Sequence, residues 1–245
     1  MLLSLGLLCA LTIAALTKLG IWQLERRVWK LNLIEQIEHR VSAAPVSAPG
    51  PEQWPRMTAE RDAYRRVRVA GHYLNDRETL VQAVTRLGNG FWVLTPLRTG
   101  DGFTILVNRG FVPPDQRDPA TRAGGLIDGT TVVSGLMRMT EPQGGFLRAN
   151  NPAADRWYSR DVAAISAARQ INLAAPYFID ADATPVPGRV PVGGLTVIEL
   201  PSNHLVYALT WFALALMLAG AVIYIGREEW RIREVARRER GVSDG

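Results

Sequence analysis

The chain has 245 residues, enough for one sizeable domain and its anchors, and its 28 Lys and Arg against 23 Asp and Glu leave a net charge of +5. The single cysteine, Cys9, excludes an intrachain disulfide and a thiolate metal cluster. Because Arg227, Arg231, Arg233, Arg237, Arg238 and Arg240 crowd one terminus, the excess charge reads as membrane topology and not as a nucleic-acid footprint.

From Leu2 to Leu16 the chain is apolar apart from Ser4 and Thr12, and the run continues through Lys18 to Trp22. No cation precedes it and the pattern carries on helically, which favours a retained anchor over a cleaved signal peptide. Lys18 is able to snorkel and Trp22 suits an interfacial belt. Leu33, Ile34 and Ile37 extend the helical spacing to about His39. We therefore expect a transmembrane helix over 1–24, a juxtamembrane helix over 25–41 and an extramembrane domain over 42–202. Residues Ser42 to Pro55 hold four prolines and read as an extended linker in place of a packed element.

Within the domain, Tyr64 to Ala70 alternates arginines against valines, the mark of a half-buried strand. Thr79 to Val84 is a second strand. Phe91 to Arg98 and Phe103 to Arg109 flank Thr99, Gly100, Asp101 and Gly102, residues that supply the positive φ of a hairpin. Thr130 to Met139, Tyr177 to Asp180 and Leu195 to Leu200 give three more strands. Either Ser159 or Asp161 can cap a helix through Ile165 to about Gln170. Short strands with Gly-rich turns and one helix imply an antiparallel barrel or sandwich of α+β character.

Leu205 to Ile225 contains no charged residue over 21 positions, which at 1.5 Å per residue matches a hydrocarbon core of about 30 Å. This second transmembrane helix, 203–226, precedes a basic tail over 227–245 whose arginines place it in the cytoplasm. Two spans bring the N-terminus to the same side and the domain outside. Arg26, Arg27 and Lys30 after the first span pull the other way, but long domains translocate largely regardless of charge.

The only imidazoles are His39, His72 and His204, and none lies in a hydrolase, zincin, Walker or dinucleotide-binding motif. His39 and His72 read as solvated or core groups, and Asp180 and Asp182 as solvated loop acids. His204 sits where water gives way to hydrocarbon and heads a stripe of Tyr207, Ala208, Trp211, Phe212 and Ala215. It is either a functional group or, with Asn203, a cap of the helix start. No catalytic constellation is visible, and we expect no enzyme.

Five blocks carry a resemblance: Gly20 to Lys30 (GIWQLERRVWK), Tyr64 to Gly71 (YRRVRVAG), Leu106 to Pro113 (LVNRGFVP), Phe146 to Asp161 (FLRANNPAADRWYSRD) and Asn203 to Phe212 (NHLVYALTWF). In this order the chain resembles the Surfeit locus protein 1 family. It departs at Phe111, where the family commonly has Trp, and at Ser202, where it commonly has Asn. The resemblance implies an inner-membrane protein with its β-rich domain in the periplasm or the mitochondrial equivalent, acting in assembly of haem-copper cytochrome c oxidase; the lack of an Arg-rich, acid-poor presequence favours a bacterial inner membrane, with cytoplasmic termini, over an organellar one. It further implies transient binding of haem a, with His204 as axial ligand to the haem iron, and delivery to the oxidase's large catalytic subunit, subunit I, alongside other assembly factors. On that reading Trp22, Arg26 and Arg27 come near the depth of His204, the arginines pairing with haem propionates while Tyr207 and Trp211 line the ring. The alternative is a membrane scaffold that holds oxidase subunits or assembly factors without haem.

Overall fold

The computed structural model describes residues 2–142, 148–183, 190–196 and 203–243. The chain divides into two compact units, one made of Met1–Glu35 with Glu199–Gly245 and the other of Gln36–Ile198.

The first unit holds most of one long helix, α1 (Leu2–Ser42), and all of another, α4 (His204–Ser243). Both contain a stretch long and apolar enough to cross a membrane, as expected. At 41 and 40 residues they run to about 60 Å each, twice a hydrocarbon core. Each therefore continues well past its apolar part. The tail after Gly226 stays helical, supported by pairs such as Arg233 with Glu229 at 2.9 Å.

The second unit is a closed β-barrel, with the one-turn helix α2 (Ala59–Asp62) between its first two strands. Its strands are β1 (Val46–Ser47), β2 (Arg66–Tyr73), β3 (Thr79–Thr85), β4 (Gly88–Thr99), β5 (Thr104–Val112), β6 (Thr130–Met139) and β7 (Ala174–Ala181). The sheet order β1-β2-β6-β7-β5-β4-β3 closes through an extra β2–β4 pairing. Strand β4 gives one edge first to β3 and then to β2, with Gly71 opposite Thr99. A Cβ on Gly71 would strike the Arg98 carbonyl there, so the closing corner requires glycine. The pairs are antiparallel except β1–β2 and β5–β7. The parallel β5–β7 pair is reached through a crossover that carries helix α3 (Val162–Ala168). Of its two candidate caps, Asp161 is the one used, accepting from the Ala164 N–H at 3.1 Å.

Alternation along the strands sorts the side chains. Ile105, Val107, Tyr177 and Ile179 join Val67, Leu97, Phe103 and Met137 in one core. Their neighbours Leu106 and Phe178 point the other way, into a second core with Trp157, Val162 and Ile165 under α3. Strand β5 is consequently buried on both faces throughout.

Two expectations are corrected. The segment 42–55 is packed: it supplies β1, and Trp54 meets the Phe103 ring edge-on at 5.6 Å. Its Pro49 carbonyl accepts from both Trp54 Nε1 and the Tyr177 hydroxyl, at 2.9 and 2.8 Å. Proline suppresses regular pairing but leaves carbonyl acceptors available. Leu195 and Thr196 form no strand; Leu195 is buried against Ala83 and Phe111. The rest of that expected strand, 197–200, lies outside the described residues, as do 143–147, the last two of which open the fourth motif block.

Candidate functional site

Helices α1 and α4 meet through small residues. Gly20, Ala208 and Ala215 are buried, and the Phe212 ring occupies the notch that Gly20 leaves, within 2.5 Å of where a Cβ would stand. In an apolar medium, where lipid is as good a partner as leucine, such close approach is what holds helices together. At the start of α4, the Asn203 carbonyl accepts from the Tyr207 N–H, and the His204 side chain turns to α1. There His204 Nδ1 lies 2.8 Å from Gln23 Oε1. His204 is half-buried. With the amide oxygen as the acceptor, this contact calls for the proton on Nδ1 and leaves the lone pair to Nε2.

The anticipated residues separate into two sets. His204, Ala208, Trp211, Phe212 and Ala215 are buried or half-buried, and Arg27 is half-buried on the α1 face shared with Gly20 and Gln23. Tyr207 and Trp22 are more than half exposed, off this face. Arg26 is exposed and its guanidinium lies 3.8 Å from the Trp29 ring centroid, a cation–π contact within α1. Gln23 was not singled out by sequence reasoning. The available signal was its place three residues after Gly20 and four before Arg27, which puts an amide on the helix's packed face.

A second polar assembly lies in the barrel, where Asp180 is a correction. It is no solvated loop acid but part of β7, 3% exposed, on the same strand face as Phe178. It accepts from Asn108 Nδ2 (2.7 Å), Arg138 Nη1 (3.0 Å), Arg160 Nη1 (3.1 Å) and Thr196 Oγ1 (3.1 Å). Glu141 binds both arginines from the other side. Two guanidiniums thus face two carboxylates beside a cavity of about 210 Å³ that Trp92 and Leu195 also line. With its charges matched and its acceptors filled, this hub reads as structural. Asp182, the other acid of that pair, binds Arg66 at 2.5 Å.

Farther along β5, Arg109 is buried against the Tyr73 ring and donates to the Gly125 carbonyl, while Arg122 holds the Glu78 carboxylate. Burial lowers the Arg109 guanidinium below its usual range. Burial also pushes the Tyr73 hydroxyl up to about 12, against the opposing pull of Arg109. These groups pin the long β5–β6 connection.

Among the described residues, no three His, Cys, Asp or Glu side chains are grouped to hold a metal ion. A metal at His204 would have one protein ligand from that set. Such a ligand suits a metal that brings most of its own coordination, as haem iron does. The half-buried imidazole, with no partner at Nε2 among the described residues, half-buried Trp211 farther along its face of α4 and half-buried Arg27 on the α1 face of Gln23 fit that group.

Comparison with known proteins now bears on this arrangement. The model of the SURF1 family matches residues 10–216, from within α1 to within α4. Surfeit locus protein 1 of Homo sapiens is 40% identical over 215 residues, covering 80% of this chain and 69% of that protein. The Xenopus tropicalis protein of the same name is 36% identical over 236 residues, covering 89% and 73%. A SURF1-like protein of Monosiga brevicollis is 37% identical over 225 residues, covering 86% and 83%. The family is linked to cytochrome c oxidase assembly and is not known as an enzyme family. A match that reaches into both apolar helices and takes in the whole barrel between them settles the relationship: this chain belongs to the SURF1 family.

Proposed function

We propose that the protein binds haem a through His204 and assists its delivery to the catalytic subunit of a haem-copper cytochrome c oxidase. The observation that carries this reading is the half-buried imidazole at the head of α4, held at Nδ1 by Gln23 with Nε2 left to coordinate. Bound haem would bring its own four nitrogen ligands and an amphipathic ring, so the protein has to supply an axial nitrogen, an apolar flank and cations for the propionates. His204, Trp211 and Arg27 serve these ends from the packed face, with Tyr207, Trp22 and Arg26 exposed beside it. A single protein ligand suits a carrier, because the cargo has to leave.

The same reading places the protein in a bacterial inner membrane, with both termini cytoplasmic, the barrel periplasmic, and subunit I and other assembly factors as partners. The test is the visible spectrum and extracted haem of detergent-purified protein, wild type beside His204→Ala, from cells that make haem a. Haem a in the wild type and its loss from the variant are expected. Colourless wild type, or equal haem in both, would leave a scaffold that holds oxidase subunits or assembly factors.

A further inference from the structure

We infer that Gln23 is the positioning residue of the candidate haem ligand, fixing the tautomer and the ring plane of His204 from the opposite helix. This rests on the reading of His204 as ligand and adds to it a named partner. The two residues are 181 positions apart in sequence and approach to 2.8 Å, Gln23 Oε1 to His204 Nδ1.

Left to itself, a neutral imidazole carries its proton on either nitrogen and rotates about χ2. At the head of a helix, a free ring would present the ligating lone pair in several directions. An acceptor at Nδ1 removes that freedom: the proton stays on Nδ1, the lone pair is held at Nε2, and the ring plane is fixed by the hydrogen bond. Helix packing supplies the rigidity. Gly20, one turn before Gln23, is closed over by Phe212, and Ala208, one turn after His204, is fully buried. The contact between the helices therefore sets the distance between amide and imidazole.

The chemistry of the acceptor matters too. Most metal-binding histidines lean on a carboxylate or a backbone carbonyl, and a carboxylate makes the imidazole a stronger base. A carboxamide orients the ring as well but adds no charge, and a neutral group costs less to hold at a membrane interface. The result is a well-aimed ligand of ordinary basicity. That is the character a releasable cargo calls for.

The test uses the full chain in detergent and reads two quantities. The first needs no haem: with histidine labelled by ¹⁵N, only His39, His72 and His204 contribute, and His204→Ala assigns the signal. Wild-type apoprotein is expected to show His204 protonated at Nδ1 alone. Gln23→Leu is expected to show a mixture, and Gln23→Glu to restore the single tautomer. The second quantity is retained haem a. Gln23→Leu should bind about 10–100-fold more weakly, while Gln23→Glu, isosteric and still an acceptor, should hold haem at least as well as wild type and lower its reduction potential.

An unchanged tautomer and unchanged haem in Gln23→Leu would overturn the inference, as would equal haem loss from Gln23→Glu and Gln23→Leu. Failure of the underlying reading looks different, since His204→Ala would then keep its haem. The tautomer measurement still judges Gln23 in that case.

Discussion

Asp180 illustrates how burial converts a common acid into a structural element. It is 3% exposed, it accepts from four side chains, and it shares Arg138 and Arg160 with Glu141. Replacing Asp180 with Asn keeps the shape but leaves two half-buried guanidiniums to one carboxylate that is itself 36% exposed. We expect a loss of about 3–5 kcal/mol, the usual consequence of stripping one partner from a buried ionic network, measured by chemical unfolding of the purified protein. A loss below about 1 kcal/mol, the scale of a surface pair, would show the hub to be solvated. Nothing in the local sequence announces this role. The partners come from β5, β6, the approach to α3 and the stretch after β7, so only the folded barrel assembles them. His204 was legible for the opposite reason: a polar residue at the edge of an apolar span is conspicuous without any knowledge of its partner. Its partner Gln23 was hidden among the polar residues that follow α1's apolar run.

At the scale of elements, periodicity found the helices and most strands, because a repeat of 3.6 or 2 is written in consecutive residues. Strand β6 matches its expected bounds, Thr130–Met139, and β3 extends one residue beyond its expected end. The two-residue strand β1 was invisible, since it has no period and exists only by pairing in parallel with Val67 and Arg68. The interhelical seam was half legible. The α4 face of Ala208, Phe212 and Ala215 follows from spacing, but Gly20 as its counterpart does not. This seam makes a prediction with a sign. In a helix, Gly→Ala is ordinarily stabilising by about 1 kcal/mol, and Gly6→Ala, with open space around it, should be neutral or stabilising. Gly20→Ala should instead destabilise by about 1–3 kcal/mol, because its methyl would overlap the Phe212 ring. Adding Phe212→Leu should recover much of that loss. Thermal unfolding in detergent of the two single variants and the double variant checks this, and a stabilised Gly20→Ala would mean that the seam is looser than described.

For the molecule as a whole, the proposed topology follows from a competition between cations. Arg26, Arg27 and Lys30 follow the first apolar run, whereas Arg227, Arg231 and Arg233 lead six arginines after the second. Both sets lie close enough to a span to count, and they ask for opposite orientations. Arg26 lies over the Trp29 ring, an arrangement at home in a headgroup layer on either side. It therefore weakens the claim of the first set on the cytoplasm. Arg231 is 75% exposed and lies 3.6 Å from Glu228. The second set should prevail, and the barrel, between the two spans, should be exported. The chain's single cysteine makes the test direct: Cys9→Ser gives a background without thiols, to which Asp101→Cys in the β4–β5 turn or Arg231→Cys on α4 is added. A membrane-impermeant maleimide on intact spheroplasts should label Asp101→Cys at once and Arg231→Cys only after lysis. The reverse pattern would put the barrel in the cytoplasm, and His204 at the opposite face of the bilayer from the one a periplasmic assembly site requires.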